Sequence, residues 1–272
     1  MEKMIITNQK QYIHTGHSSK GNQMKWQDDS TWYKADYMGY EGLSETVVSR
    51  LLQFSNMDNY VIYEPVRIVY EEKEMAGCKS TNFLGEREEL ITLEKLFRQH
   101  TGMSLAKELA YFSDIKKRIA YTVDHVENYT GLADFGVYLT KMLEMDAFFL
   151  NEDRHTNNIA VIYDLDEKEY RLCPYFDMGL SLFADEKEDF PIYKSLEDCR
   201  KSIVAKPFSR DFDEQMDAAN ELYGSYLRFS LSKKEMLKIA GEAGVSYDSA
   251  ITDRVMEVLR YQADKYRYMM KE

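Results

Sequence analysis

The sequence predicts an α+β protein of two lobes, β-rich in its N-terminal part and mainly helical in its C-terminal part. Three observations predict it. Up to about residue 84, short aromatic and β-branched runs alternate with Gly, Pro and polar clusters, the pattern of strands and turns. From about Thr92, apolar residues recur at i, i+3 and i+4 through successive segments, the pattern of amphipathic helices. One pair of short apolar runs between Asn158 and Asp177 interrupts those helices once. The lobes are expected at 1–84 and 85–272, in a chain of 272 residues and 44% hydrophobic content that can bury a sizeable core.

In order along the chain, "HTGHSSKGNQMKW" is a polar run with two glycines and reads as a loop or hairpin end. "WYKADYM", Trp32 to Met38, is aromatic-rich and free of Gly and Pro, so it reads as a strand. Leu43, Val47, Leu51 and Phe54 then recur near helical spacing and predict a helix from about Gly42 to Phe54. Tyr60 to Glu74 carries β-branched and aromatic runs broken by Pro65: two strands, or one with a kink. "GCKSTNFL" reads as a loop within the link between lobes, placed at Tyr70 to Leu84.

The helical lobe begins with "TLEKLFRQH", "SLAKELAYF", "IKKRIAYTVDHVENYTG" and "DFGVYLTKMLEMDAFFL", with Asp134 at the expected N-cap of the last. "NIAVIYD" and "YRLCPYFD" are the two strands, joined by the turn-prone "LDEKE". "SLEDCRKSIVA" and "SKKEMLKIAGEAG" each open on Ser with an acid three residues later, the spacing of a capping box. Gly241 or Gly244 ends the second, and Ser249 to Tyr268 forms a last helix.

Composition excludes some functions. A net charge of −12 argues against a nucleic-acid partner, because such proteins draw their affinity from clustered Lys and Arg. It leaves room for an anionic ligand held by a metal ion and a few local cations. Cys78, Cys173 and Cys199 are far apart and odd in number, which fits reduced thiols in a cytoplasmic protein rather than a disulfide framework or a zinc knuckle. No apolar run approaches the ~20 residues of a membrane span, and the first residues lack the apolar stretch of a signal peptide, so no membrane association is expected.

The stretch Asn151 to Gly179, "NEDRHTNNIAVIYDLDEKEYRLCPYFDMG", has no obvious role in folding. Phosphoryl transfer from ATP needs a carboxylate to orient the attacking hydroxyl and take its proton, and further oxygen ligands to hold Mg²⁺ against the phosphates. Asp153, Asn158 and Asp177 can supply that set. Asp153 and Asn158 are five residues apart on one loop, and Asp177 follows nineteen residues later, enough for two short strands and a turn. Gly179 is free to take positive φ at the bend that follows. The same residues also read as a loop of solvated turn formers. A metal hydrolase built on His155 lacks a second ligand motif, and a Ser/His/Asp triad lacks a nucleophile elbow. The letters Asp-Phe-Gly at Asp134 to Gly136 precede Asp153 rather than follow it, so they are not read as a metal-binding turn.

"NEDRHTNNIAVI" followed by "PYFDMG" resembles the catalytic and metal-binding segments of the HipA-like serine/threonine kinases, and the related phosphatidylinositol kinases share the Asp-Arg-His order. "SSKGNQMKW" is similar to that family's phosphate-side loop, matched at Ser18, Gly21, Gln23 and Lys25. Lys34 in "WYKADY" and Glu45 on the following helix stand where such kinases keep a phosphate-contacting lysine and its partner acid; Glu41 is the other acid on that helix. The resemblance covers Ser18 to Gly179 in four ordered pieces. It implies a protein-kinase-like fold, with residues 1–84 as the nucleotide-binding lobe, and ATP and Mg²⁺ as cofactors. It also implies residue roles: Asp153 as base, Asn158 and Asp177 as magnesium ligands, Lys34 paired with Glu45, and Ser18, Gly21, Asn22 and Gln23 over the triphosphate.

HipA proteins carry an extra N-terminal subdomain that takes part in partner binding, whereas here the phosphate loop starts by residue 18; the chain looks like a minimal kinase core, so the resemblance does not carry over a toxin–antitoxin pairing or a DNA-bound complex. Ser18 matches a position the family can autophosphorylate, where a phosphate would bring about −1.5 to −2 charges into a triphosphate loop. The expected activity is therefore transfer of the γ-phosphoryl group to a Ser or Thr hydroxyl of a protein substrate. The alternatives are a nucleotide-binding pseudokinase or scaffold, and a lipid or small-molecule kinase. No basic amphipathic helix supports a lipid surface.

Overall fold

The structure, a computed structural model, describes residues 2–6 and 23–271 and the backbone of 11–12. It is of the expected α+β class, sheet in its N-terminal region and mostly helix beyond. In chain order, the first elements are β1 (Glu2–Ile5), β2 (Gln11–Tyr12), β3 (Lys25–Asp28), β4 (Thr31–Ala35), α1 (Glu41–Leu52), β5 (Glu64–Tyr70), β6 (Lys73–Thr81) and β7 (Glu88–Thr92). Next come α2 (Leu93–Thr101), α3 (Leu105–Leu109), α4 (Ile115–Thr130), α5 (Phe135–Phe149), β8 (Ala160–Asp164) and β9 (Tyr170–Leu172). The last are α6 (Leu196–Ser202), α7 (Phe212–Tyr223), α8 (Lys233–Gly244) and α9 (Ser249–Lys265).

The chain divides into two compact units. One comprises Met1–Asn82, Asp177–Ile203 and Arg228–Glu272; the other comprises Phe83–Phe176 and Val204–Leu227. The first break falls two residues before the expected boundary at 84, but residues 177–203 and 228–272 group with the N-terminal strands rather than with the rest of 85–272.

In the first unit a six-stranded sheet runs in the order β1-β5-β6-β4-β3-β2, with β1 parallel to β5 and the other pairs antiparallel. Side chains alternate across a strand. Tyr33 and Ala35 therefore join Trp26, Val66 and Ile68 in the core of one face, and Lys34 between them is turned to the other. That other face receives α1. Gly42 at the start of α1 lies against Gly77 of β6, so close that a Cβ on Gly42 would sit 2.6 Å from the Gly77 carbonyl carbon. A Cβ on Gly77 would sit 2.2 Å from the Lys34 carbonyl oxygen. The facing glycines let helix and sheet approach at the level of Lys34.

Helix α1 is buried along all but one of its residues, Arg50, and its polar groups are bonded internally. Ser44 donates to the Met178 carbonyl at 2.9 Å and Thr46 to the Gly42 carbonyl at 2.7 Å. Two expectations change here. "GCKSTNFL" is not a loop through its first part: Gly77 to Thr81 belong to β6, whose ladder partners on both sides, β4 and β5, supply what its polar residues do not. The strand expected from Trp32 to Met38 ends at Ala35.

In the second unit, β7, β8 and β9 form a three-stranded antiparallel sheet. Thr92, Ser104, Asp114 and Asp211 cap α2, α3, α4 and α7 by accepting backbone N–H groups, each cap contributing about 1 kcal/mol. Asp134 takes the N-cap position of α5 without a side-chain bond. Helix α5 carries Leu139, Leu143, Phe148 and Phe149 fully into the core, at about 1.5–3 kcal/mol per side chain. It ends where Leu150 turns left-handed, at φ 56°, and delivers the chain into "NEDRHTNN".

Candidate active site

Among the described residues, five of those singled out from the sequence fall into two clusters, one in each unit. In the first unit, Lys34, Glu45 and Asp177 come together although 143 residues separate the ends of that set. Lys34 Nζ donates to Glu45 Oε1 at 2.7 Å and to Asp177 Oδ1 at 2.9 Å, with the Tyr63 hydroxyl at 3.4 Å. Burial alone would drive the Lys34 ammonium to neutrality. The two carboxylates outweigh it and hold the lysine well above its ordinary range, so it stays charged. Glu45 Oε2 accepts the Met178 backbone N–H at 2.9 Å, which ties α1 to the residue after Asp177. The Tyr63 phenol, pushed up chiefly by burial, stays neutral beside them.

The exposures within this cluster decide what it can do. The Glu45 side chain is 1% exposed and that of Asp177 is 25% exposed. Glu45 is the internal anchor of the ammonium, and Asp177 is the carboxylate that a solvent-borne cation can reach. Asp177 itself holds the left-handed turn, at φ 61°, whereas Gly179, expected to take it, is not among the positive-φ residues. Gly179 serves by its size instead: a Cβ there would lie 3.3 Å from the Glu41 Cβ and 3.6 Å from Glu45 Oε1. Glu41, the rival to Glu45, accepts backbone N–H groups of Tyr37, Met38 and Gly39 at 2.6–3.2 Å and so shapes the turn before α1.

In the second unit the loop after α5 is stitched by its own polar side chains. Asp146 of α5 accepts from Asn151 Nδ2 at 2.9 Å, and Asn151 Oδ1 accepts the Asp153 N–H at 3.2 Å. Asn158 Nδ2 donates to the Asp153 carbonyl at 2.8 Å, bringing together two of the residues expected in catalysis. Arg154, with no exposure, grips Asp146 from Nε at 2.9 Å and Nη2 at 3.1 Å. Its Nη1 donates to the carbonyls of Asn158 at 2.8 Å and Phe176 at 3.1 Å. One buried guanidinium thus fixes the backbone at Asn158 and at the residue preceding Asp177.

Among the described residues, Lys206 and His155 are basic neighbours of the Asp153 carboxylate. Lys206 Nζ lies 3.4 Å from Oδ1 and His155 Nε2 lies 3.7 Å from Oδ2. His155 Nδ1 accepts the Asn157 N–H at 3.2 Å, which places the ring proton of the neutral imidazole on Nε2, the side of Asp153. Lys206 escaped the sequence reading, since 53 residues separate it from Asp153 and nothing in "IVAKPFS" marks it.

Of the remaining sequence candidates, Gln23 lies half-buried two residues before β3. Ser18, Gly21 and Asn22 lie outside the described residues. Each within its own unit, Asp177 offers a partly exposed carboxylate, and Asn158 commits its amide nitrogen to the Asp153 carbonyl and keeps its amide oxygen for another partner; both are oxygen donors of the kind hard cations take.

The sequence matches no family model. No curated relative matches it either. A solved structure does: the crystal structure of a Helicobacter pylori proinflammatory kinase, CtkA, is similar with a TM-score of 0.61 over 89% of this chain and 90% of that one. The fold is kinase-like. The two sequences share 14% identity, so the likeness is one of fold. Among the described residues no helix is long and apolar enough to cross a membrane.

Proposed function

We propose that this protein is an ATP- and Mg²⁺-dependent kinase that transfers the γ-phosphoryl group to a Ser or Thr hydroxyl of a protein, as the resemblance to HipA-like kinases implies. The observation that carries the reading is the buried lysine held between two carboxylates, Lys34 with Glu45 and Asp177, in a chain of kinase-like fold. An ammonium kept charged inside a protein is suited to phosphate oxygens. In this reading Glu45 fixes Lys34 against the phosphates, with Gln23 and the residues Ser18, Gly21 and Asn22 beside the nucleotide.

Asn158 and Asp177 would hold magnesium, which when bound neutralises charge on the phosphates. Asp153 accepts the proton of the acceptor hydroxyl while the acceptor oxygen bonds to the γ-phosphorus and the bond from that phosphorus to ADP breaks. Asn151 and Asn158 bond the backbone N–H and carbonyl of Asp153, and a loop held in this way supports the reading because less of it has to be ordered for the reaction.

The test is incubation of the purified protein with labelled ATP and Mg²⁺, with phosphorylated residues located by mass spectrometry. Transfer to the protein itself or to a generic protein acceptor is expected. Asp153→Asn should abolish transfer and keep nucleotide binding, and Asp177→Ala should also weaken metal-dependent ATP binding. Equal activity of Asp153→Asn and wild type would sink the assignment; transfer only to lipid would replace the protein acceptor with a lipid one.

A further inference from the structure

We propose that Lys206 is a further catalytic residue, one that contacts the phosphoryl group in flight while it pairs with Asp153; the proposal rests on the kinase reading above. The first observation is position. Lys206 Nζ lies 3.4 Å from Asp153 Oδ1. A hydroxyl bonded to that carboxylate lies about 2.7 Å away, and the incoming phosphorus lies about 3 Å beyond it. An ammonium so placed is one side-chain rotation from the equatorial oxygens on which transition-state charge accumulates. Lysine has three donors, so one can stay with Asp153 while the others turn to phosphate.

The second observation is how the loop carrying Lys206 is held. Gln215 of α7, with no exposed surface, donates from Nε2 to the Lys206 carbonyl at 3.1 Å and accepts the Ser209 N–H on Oε1 at 3.4 Å. Ala205 donates its N–H to the Arg210 carbonyl at 2.9 Å, and Arg118 of α4 donates to the Phe208 carbonyl at 2.8 Å. Four bonds, two of them from a buried amide, hold the backbone on both sides of one lysine. The lysine side chain is 32% exposed, and an ion pair open to water to that degree contributes little to folding. Anchoring of this kind fixes the backbone from which the lysine side chain reaches Asp153, which matters for chemistry more than for stability. The exposure also leaves Nζ accessible to an incoming ligand.

The bond changes are those of the proposed transfer, and Lys206 adds no covalent step. It donates hydrogen bonds to the γ-phosphoryl oxygens as their charge is redistributed, and it stays beside the Asp153 carboxylate that takes the hydroxyl proton.

The experiment compares wild type, Lys206→Ala and Lys206→Arg for kcat, KM for ATP, urea midpoint, and affinity for ADP with and without aluminium fluoride. Lys206→Ala is expected to lower kcat about 10²-fold, leave KM within about twofold and leave the urea midpoint in place. It should also weaken the ADP–aluminium fluoride complex far more than ADP alone. Lys206→Arg should recover at least about tenfold of the lost kcat, since it restores the charge. A Lys206→Ala enzyme within threefold of wild type in kcat, or one whose loss tracks a fall in urea midpoint, overturns the role of Lys206 and leaves the kinase reading standing. A wild-type protein that transfers no phosphoryl group overturns the kinase reading, and this proposal with it.

Discussion

Replacing Arg154 by Met tests the buried ion pair on which the loop after α5 hangs. Arg154 and Asp146 are both without exposed side-chain surface, joined by contacts of 2.9–3.2 Å. Removing the guanidinium strands the Asp146 carboxylate in the interior with Asn151 as its remaining side-chain donor. Burial already pushes the Asp146 carboxyl up, and Arg154 is the chief influence pulling it back. Without Arg154 the carboxyl must take up a proton to remain buried. Doing so at pH 7 against an unfolded value near 3.9 costs about 4 kcal/mol, at 1.36 kcal/mol per pH unit.

The carbonyls of Asn158 and Phe176 lose their donor as well, a further ~1–3 kcal/mol that does not depend on pH. The total is a large share of the ~5–15 kcal/mol by which proteins are stable. The sign of the pH effect follows: a carboxyl raised in the folded state costs nothing below its unfolded value, and its cost grows as pH rises. Urea unfolding at pH 7 and pH 5, followed by circular dichroism, should therefore show the Arg154→Met penalty about 2.7 kcal/mol smaller at pH 5. Pairing it with Asp146→Leu should recover much of the loss. A penalty below about 1 kcal/mol at pH 7, or one equal at the two pH values, would refute the reasoning.

Two further outcomes test the first unit. Asp36 is held at about pH 7, first by burial and next by Glu41, against the pull of the Gly42 N–H and the Tyr247 hydroxyl. Wild type should therefore lose stability relative to Asp36→Asn as pH rises from 4 to 7, at up to about 1.4 kcal/mol per unit; parallel stability profiles for the two proteins would exclude it. Glu45→Gln leaves Lys34 with Asp177 as its one carboxylate partner, so kcat/KM for ATP should fall by about tenfold or more, and unchanged kinetics would separate the ion pair from nucleotide handling.

What the sequence disclosed, and what it hid, follows from how far apart the interacting residues lie. Helices α2 to α5, α8 and α9 were legible because their apolar period and caps are local, down to the capping box of Ser232 and Glu235. Strand β6 was hidden because Gly77, Lys79, Ser80 and Thr81 read as loop residues, and only pairing with β4 and β5 makes them a strand. Strand β7, acidic at Glu88 and Glu89, and helix α7, rich in Asp and Glu, lacked a strong apolar signal. Lys34 and Glu45 were legible as an aromatic-flanked lysine and a helix acid, and they are ion-paired in the structure. The choice of Glu45 over Glu41 came from the family resemblance, whereas the bond of Lys34 to Asp177 and the approach of Lys206 to Asp153 depend on tertiary contacts that no local pattern encodes.

The five-segment composition of the two units bears on how the molecule is made. Phe83–Phe176 and Val204–Leu227 complete the second unit as soon as residue 227 has left the ribosome. The first unit still needs Arg228–Glu272, although its strands precede the second unit along the chain. The part begun earlier in synthesis is therefore finished later, the reverse of the usual vectorial order. Nascent β3 to β6 must wait, with Lys34 and Glu45 among them, for α8 and α9 to emerge before their fold is whole.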